Sequence, residues 1–204
     1  ASPAVDLLIT DCQQTSYEIA KKLNKENSER QLVGAQIYKE VCERIEKEID
    51  LTKEKVIVLG SELWHSGVIG IVASKVVEKY YRPTILLAIE GEYAKGSGRS
   101  IENFDLFKAL QHCDSILEKY GGHYYAAGLT VKTKDIENFY KIINEYANAH
   151  LSPEFLIPSQ DIDLAIDFRD INSQFIRELK KLEPFGAANP EPIFYARKLH
   201  FENC

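Results

Sequence analysis

Val56-Ile57-Val58-Leu59 is a short unbroken apolar run held between Lys55 and Gly60. A strand with apolar side chains on both faces needs cover on both faces, the situation of a strand inside an α/β sheet and not of a half-solvated hairpin. The next segment, Gly67 to Tyr80, predicts a helix with Val68, Ile71, Val72, Val76 and Val77 inward, and Pro83 forbids its continuation. Thr84 to Ile89 is a second buried run. Buried strand, helix and buried strand form a βαβ unit, which commits the region to a sheet with parallel neighbours.

Further along, Tyr93 to Ile101 reads as a glycine-rich strand after the turn Glu90-Gly91-Glu92. Leu106, Phe107, Leu110, Cys113, Leu117 and Tyr120 mark a helix capped near Asn103 or Asp105 and ended by Gly121-Gly122. Ala126 to Lys132 is another strand, and Ile136, Phe139, Tyr140, Ile143 and Ala147 define a closing helix from Asp135. Residues 51–150 therefore form one mixed-sheet α/β domain. Upstream, in residues 1–50, a helix from about Asn27 to Glu48 carries a single stripe of Tyr38, Val41/Cys42, Ile45 and Ile49. One stripe on so long a helix suits a connector between two masses, the alternative being an ordinary surface helix. Leu7, Leu8 and Ile9 read as the tail of a preceding element. In residues 151–204, Leu151 to Pro158 is a linker. Then come a half-exposed strand through Ile162, Leu164 and Ile166, a short helix through Phe175, Ile176, Leu179 and Leu182, a Pro184-to-Pro192 turn and a final β segment to Cys204. This is a partial β-rich unit, and a chain without any Met reads as a piece of something longer.

Composition narrows the function. Acidic residues outnumber basic ones 31 to 25, a net charge of −6, so a polyanion has to be met by a local cationic groove and not by a basic coat. With 27% charged residues, no apolar run approaches the ~18 needed to span a bilayer, and no membrane partner is expected. Cys12, Cys42, Cys113 and Cys204 lie far apart with no zinc-ligand spacing, which suits free thiols in a reducing cytoplasm.

Three segments compete for chemistry. Ligands of open α/β sheets sit beyond the carboxyl ends of parallel strands, where helix N-termini and glycine turns offer amides to anions. His65, Ser66 and Gly67 follow the first strand and open its helix, where the amides near Val68 would point outward; the bland alternative is a Ser66 helix cap with Trp64 packed on the core. Lys95-Gly96-Ser97-Gly98-Arg99-Ser100 puts two cations beside glycines that admit a close backbone, and strand alternation places Ser97 and Arg99 on one face with Gly96, Gly98 and Ser100 on the other. Its alternative is a structural glycine strand beneath a helix. Gly121-Gly122-His123 exposes amides and a titratable donor, or is a helix cap with a surface histidine. The three together suggest one polyanion crevice. No nucleophile–base pair, acidic dyad or metal-ligand set stands out, so neither catalytic nor metal-binding residues are assigned; Asp161, Asp163 and Asp167 are expected to face solvent.

These segments carry a resemblance. Trp64-His65-Ser66-Gly67-Val68-Ile69-Gly70-Ile71-Val72-Ala73-Ser74, Gly96-Ser97-Gly98-Arg99-Ser100 and Gly121-Gly122-His123 with Ala126-Ala127-Gly128 closely resemble, in order and spacing, the DHH-associated domain of the RecJ family of single-strand-specific DNA exonucleases. Asn27-Ser28-Glu29-Arg30-Gln31 and Leu182-Glu183-Pro184-Phe185-Gly186 through Asn189-Pro190-Glu191-Pro192 also look like that family. The resemblance implies the substrate-binding part of a 5′-to-3′ single-strand DNA exonuclease of repair and recombination. An N-terminal DHH domain, whose metal-binding motifs this chain lacks, would supply two Mn²⁺ or Mg²⁺ ions, so this segment alone is expected to be inactive. It further implies that Arg99, His123, the glycines of both turns and His65 hold DNA phosphates near the 5′ end, and that the last segment begins an OB-like domain. The rival readings are a binding module for single strands or nucleotides, and the substrate domain of a phosphodiesterase for short oligonucleotides or cyclic dinucleotides.

Overall fold

A computed structural model describes residues 3–197, which divide into two compact units with the boundary between Ile157 and Pro158. The first unit opens with two helices, α1 (Pro3–Ile9) and α2 (Gln13–Glu48). α2 therefore starts well before the expected Asn27. Its first half buries almost nothing, whereas Ile37, Val41, Cys42 and Ile45 in its second half are buried, so only that half joins a core.

A five-stranded mixed sheet follows in the order β1-β2-β3-β5-β4. β1 (Ile57–Ser61) and β2 (Thr84–Glu90) are parallel and joined through α3 (Ile69–Tyr80), as the apolar runs predict. β3 (Tyr93–Arg99) returns antiparallel to β2, and β5 (Ala126–Lys132) lies antiparallel between β3 and the edge strand β4 (Leu117–Gly122). α4 (Leu106–His112) and α5 (Ile136–His150) complete the unit.

Apolar side chains of β1 and β2 alternate between two cores. Val56, Val58, Ile85 and Leu87 join Ala127, Leu129 and Val131 beneath α4 and α5, with Phe104, Phe139 and Ile143 at the centre. Ile57, Leu59, Leu86 and Ala88 meet α2 and α3 on the other side. Asn144 of α5 ties helix to sheet: its Oδ1 accepts from the backbone N–H groups of Lys55 and Val56 at 3.1 and 3.0 Å, and its Nδ2 donates to Val56 O. Leu151 is buried in the same core, and Arg82 Nη1 donates to Leu156 O, so the expected linker is docked over its first residues.

Two expectations are corrected. Ile71 is 45% exposed, and α3 instead buries Ile69, Val72, Ala73 and Val76, a strict i, i+3, i+4, i+7 stripe that a nearly all-apolar sequence conceals. The helix expected through Leu117 and Tyr120 ends at His112, and Leu117–Gly122 is strand β4. Leu117 pairs with Val131 and Tyr120 with Leu129, with a register shift between Leu117 and Lys119. That bulge inserts one residue and brings two apolar side chains three positions apart onto one face, imitating a helical spacing. Gly121-Gly122 is thus no helix cap.

The second unit pairs β6 (Leu164–Ala165) in parallel with β7 (Phe194–Tyr195) and packs Phe175 of α6 (Ser173–Lys180) edge-on against Phe194, ring centres 5.3 Å apart. The expected strand around Ile162 to Ile166 shrinks to two residues because its aspartates are engaged: Asp163 Oδ2 accepts from Ile193 N, and Asp167 caps the turn at Arg169. Asp161, Asp163 and Asp167 are all exposed, as expected, and two of them also hold these hydrogen bonds. The expected β segment to Cys204 lies outside the described residues beyond Arg197. Among the described cysteines, Cys12 is exposed and Cys42 and Cys113 are buried, all as free thiols. Among the described residues no helix is long and apolar enough to cross a membrane.

Candidate nucleic-acid interface

Cross-strand partners in a sheet share a face, so the register assigns every side chain of the β3–β5–β4 half. Ser97 pairs with Leu86 and with Gly128, and Gly128 pairs with Gly121; Arg99 pairs with Thr84 and Ala126. This is the face that α2 and α3 cover over β1 and β2. Beyond β3 that cover ends. Gly121 and Gly128 are exposed, Ala126 and Thr130 are half-buried, and Lys119 is exposed. A Cβ added at Gly121 would meet nothing within 4 Å, and one at Gly128 only Gly96 O at 3.8 Å. The result is an open floor nearly free of side chains, bordered by Ser97 and Arg99.

The border is tightly built. Arg99 Nη1 donates to Gly98 O at 2.8 Å and to Ser97 Oγ at 3.2 Å, folding the guanidinium back along its own strand. Gly70 of α3 lies over it: a Cβ there would sit 2.8 Å from Ser97 Oγ and 3.1 Å from Arg99 Nη2. Only glycine lets the start of α3 come this close. Among the described residues no carboxylate lies within ion-pair distance of Arg99. Lys95, four positions back on the same face and about 13 Å away at ~3.3 Å per residue, is paired with Glu90 at 2.7 Å. That ammonium, with the Ser66 hydroxyl and His65, holds the Glu90 carboxyl below its ordinary value.

The three sequence segments consequently fall on this surface in different ways. Ser97, Arg99 and Gly121 share the open face. His65 and Ser66 lie beside Glu90 and Lys95, toward the opposite end of β3 from Arg99. The amides near Val68 do not point outward, because Val68 N donates to His65 O at 2.9 Å and Gly67 N to His65 Nδ1 at 3.1 Å. Ser66 is not the cap of α3, which has no side-chain cap, and Trp64 is buried with its Nε1 on Glu40. Gly96 and Gly98 face the opposite side, where added Cβ atoms would come within 2.7 Å of Leu87 and Leu129 and within 2.8 Å of Leu106. Their smallness serves core packing, as the structural reading of that strand holds. Ser100 is likewise committed, its Oγ donating to Phe104 O at 2.6 Å. Gly122 has φ +149°, and a side chain there would strike the Ala126 and Ala127 backbone. His123 is exposed, but its amide closes the β4–β5 hairpin on Ala126 O at 2.8 Å.

Gly70 and Gly128 carry no individual mark in the sequence. Gly128 is recoverable only from the pairing register, since a lone strand glycine carries no sign of which face it opens. Among the described residues no three His, Cys, Asp or Glu side chains gather to hold a metal ion.

Comparison with known proteins identifies what the chain as a whole is similar to. Residues 53–149 match the DHHA1 domain and residues 162–204 the RecJ OB domain. The chain is 41% identical over 195 residues to the single-stranded-DNA-specific exonuclease RecJ of Bacillus subtilis, covering 94% of this chain and 24% of that protein. It is 31% identical to the RecJ of Escherichia coli, covering 95% of this chain and 35% of that protein. The crystal structure of RecJ in complex with Mg²⁺ from Thermus thermophilus superposes with a TM-score of 0.81 at 30% identity, over 94% of this chain and 29% of that one. The Mn²⁺ complex of the same protein gives 0.82 at 29% identity, over 95% and 28%. The chain thus spans about a quarter to a third of the curated relatives it matches. Motif order, sheet topology and these matches together make the chain similar to the RecJ family in the region of its DHHA1 and OB domains.

Proposed function

We propose that this chain is the substrate-holding part of a single-strand-specific 5′-to-3′ DNA exonuclease, and that its open β3–β5–β4 face receives the sugar-phosphate backbone near the 5′ end. The observation that carries the reading is Arg99: a guanidinium without a described carboxylate partner, held by Ser97 and Gly98, beside a floor from which Gly121 and Gly128 remove side chains. A planar fork of donors suits phosphate oxygens, and a bare floor lets a backbone approach them. Ser97 and His123 add donors on or beside that floor, and Lys95, His65 and Ser66 extend the polar track toward the far end of β3.

The bond-breaking step belongs elsewhere. A partnering N-terminal DHH domain would hold the two divalent ions, Mn²⁺ or Mg²⁺, that activate water and stabilise the leaving oxygen. The residues described here contribute position: they fix the phosphates so that the scissile bond is presented in one register. A DNA-processing role fits a cytoplasmic protein.

Titration of a 5′-phosphorylated single strand at low salt tests the groove. Arg99→Ala removes a charge-assisted contact worth roughly 1.5 to 3 kcal/mol, about 10- to 150-fold in affinity; unchanged affinity refutes the assignment. Mn²⁺-dependent hydrolysis is expected from a longer protein bearing the DHH domain, and hydrolysis by the 204-residue chain alone overturns the division of labour. A strong preference for di- or trinucleotides over longer strands would favour the small-oligonucleotide phosphodiesterase instead.

A further inference from the structure

The β4–β5 hairpin has Tyr124 and Tyr125 at its tip, where tight turns ordinarily use Gly, Asn, Asp or Pro. Neither ring is sunk into a core: Tyr124 is 37% and Tyr125 56% exposed, and they stand edge-to-face with centres 4.8 Å apart. Two exposed aromatic rings at one turn need a reason, since burial does not supply one.

The tip is also rigid. Tyr125 O accepts from Ser100 N at 2.9 Å, Tyr124 O accepts from Leu106 N at 3.1 Å, and His123 N closes the turn on Ala126 O. Ser100 Oγ in turn holds the loop at Phe104 O. Both tyrosine carbonyls are thus anchored to the segment joining β3 to α4, and the rings are presented on a fixed backbone, which lowers the ordering cost of any contact they make.

Charge sorts what the rings can receive. Ala126, the residue after Tyr125, is the cross-strand partner of Arg99, so the tip lies at the Arg99 end of the open face. On its other side the Tyr124 phenol is raised above its ordinary value, first by burial and then by Tyr125 and the carboxylates of Asp105 and Glu102, with Lys108, paired to Asp105 at 3.5 Å, opposing them only in part. A phosphate is drawn to Arg99 and repelled from the acids. What meets the rings is therefore the uncharged part of the same molecule.

From this juxtaposition we infer that Tyr124 and Tyr125 form a stacking platform for a nucleobase of the strand whose phosphate rests on Arg99, with Tyr125, the more exposed ring, as the principal contact. The inference rests on the phosphate-binding reading of Arg99 and adds a base contact to it. Because every base has a π-face, the platform is sequence-tolerant, and it distinguishes a strand carrying bases from a bare sugar-phosphate chain.

The test is fluorescence-anisotropy titration of the 204-residue chain with a labelled 5′-phosphorylated oligothymidylate and with the same length carrying abasic sites in its 5′ half. Wild type is expected to bind the base-bearing strand at least about fivefold more tightly, the lower end of a stacking contact. Tyr125→Ala should abolish that difference, Tyr125→Phe should keep it, and Arg99→Ala should weaken both strands while preserving it. Unchanged discrimination in Tyr125→Ala overturns the platform. If wild type does not discriminate while Arg99→Ala still weakens both strands, the platform falls and the phosphate site stands. If Arg99→Ala changes nothing for either strand, both fall. Melting temperatures of the variants exclude unfolding, and Tyr125→Phe guards against a purely structural loss.

Discussion

Gly96 of β3 and Gly128 of β5 lie one residue out of register on adjacent strands and open to opposite faces, so adding one methyl to each separates stability from binding. At Gly96 the new Cβ would stand 2.7 Å from both Leu129 Cγ and Leu87 Cδ2, and 2.9 Å from Leu129 Cδ2, where ordinary contact begins at 3.4 Å. Two buried leucines must give way in a close-packed core. Overpacking of this kind costs typically ~1–3 kcal/mol, and restricting the unfolded chain returns ~0.4–1 kcal/mol. The net is a destabilisation of about 1–2 kcal/mol, or a fall in melting temperature of about 2–8 °C for a chain of this size. At Gly128 the nearest atom is 3.8 Å away, so Gly128→Ala keeps only the favourable entropic part and melts at or slightly above the wild-type temperature. Its methyl, however, rises from the floor beside Ser97 and Arg99. If a nucleic-acid backbone lies on that floor, affinity for a 5′-phosphorylated strand falls about fivefold or more, the equivalent of ~1 kcal/mol. Thermal melts followed by anisotropy titration well below the transition read both quantities. Gly128→Ala with wild-type affinity would refute the floor, and Gly96→Ala with wild-type stability but weakened binding would show that the interface is on the other face.

Three further outcomes follow from specific contacts. Gly70→Ala drives a Cβ to 2.8 Å from Ser97 Oγ and 3.1 Å from Arg99 Nη2, so it should weaken single-strand binding in the same direction as Arg99→Ala while circular dichroism shows the helix content intact. Asn144→Ala strands the N–H groups of Lys55 and Val56 at the start of β1; about 2–4 kcal/mol is expected, read as a lower urea midpoint with no direct effect on the open face. Asp50, beyond α2, has its carboxyl pulled down from 3.8 to about 2, first by the Thr52 hydroxyl and then by Lys53. A folded-state value below the unfolded one contributes stability that is present above about pH 4 and lost as pH falls through about 2. The stability gap between wild type and Asp50→Asn should accordingly be visible at pH 6 and shrink steadily toward pH 2; a gap independent of pH would remove the carboxylate from the account.

Much of the architecture was legible in local order. Apolar runs at Val56–Leu59 and Thr84–Ile89, a helix between them and a proline stop specify a βαβ unit because burial on both faces and the helical repeat are local properties of the chain. Alternation along Tyr93–Arg99 likewise separates Ser97 and Arg99 from Gly96 and Gly98 before any partner strand is known. Tertiary structure decided what each face meets. The β4 bulge gives Leu117 and Tyr120 a helical spacing inside a strand, and only pairing with Val131 and Leu129 reveals it. The glycines of β3 look like room for a ligand and are room for leucines, whereas Gly128 and Gly121 are the open ones. A glycine states that space is needed but not for what, since its neighbours come from strands and helices distant in the chain.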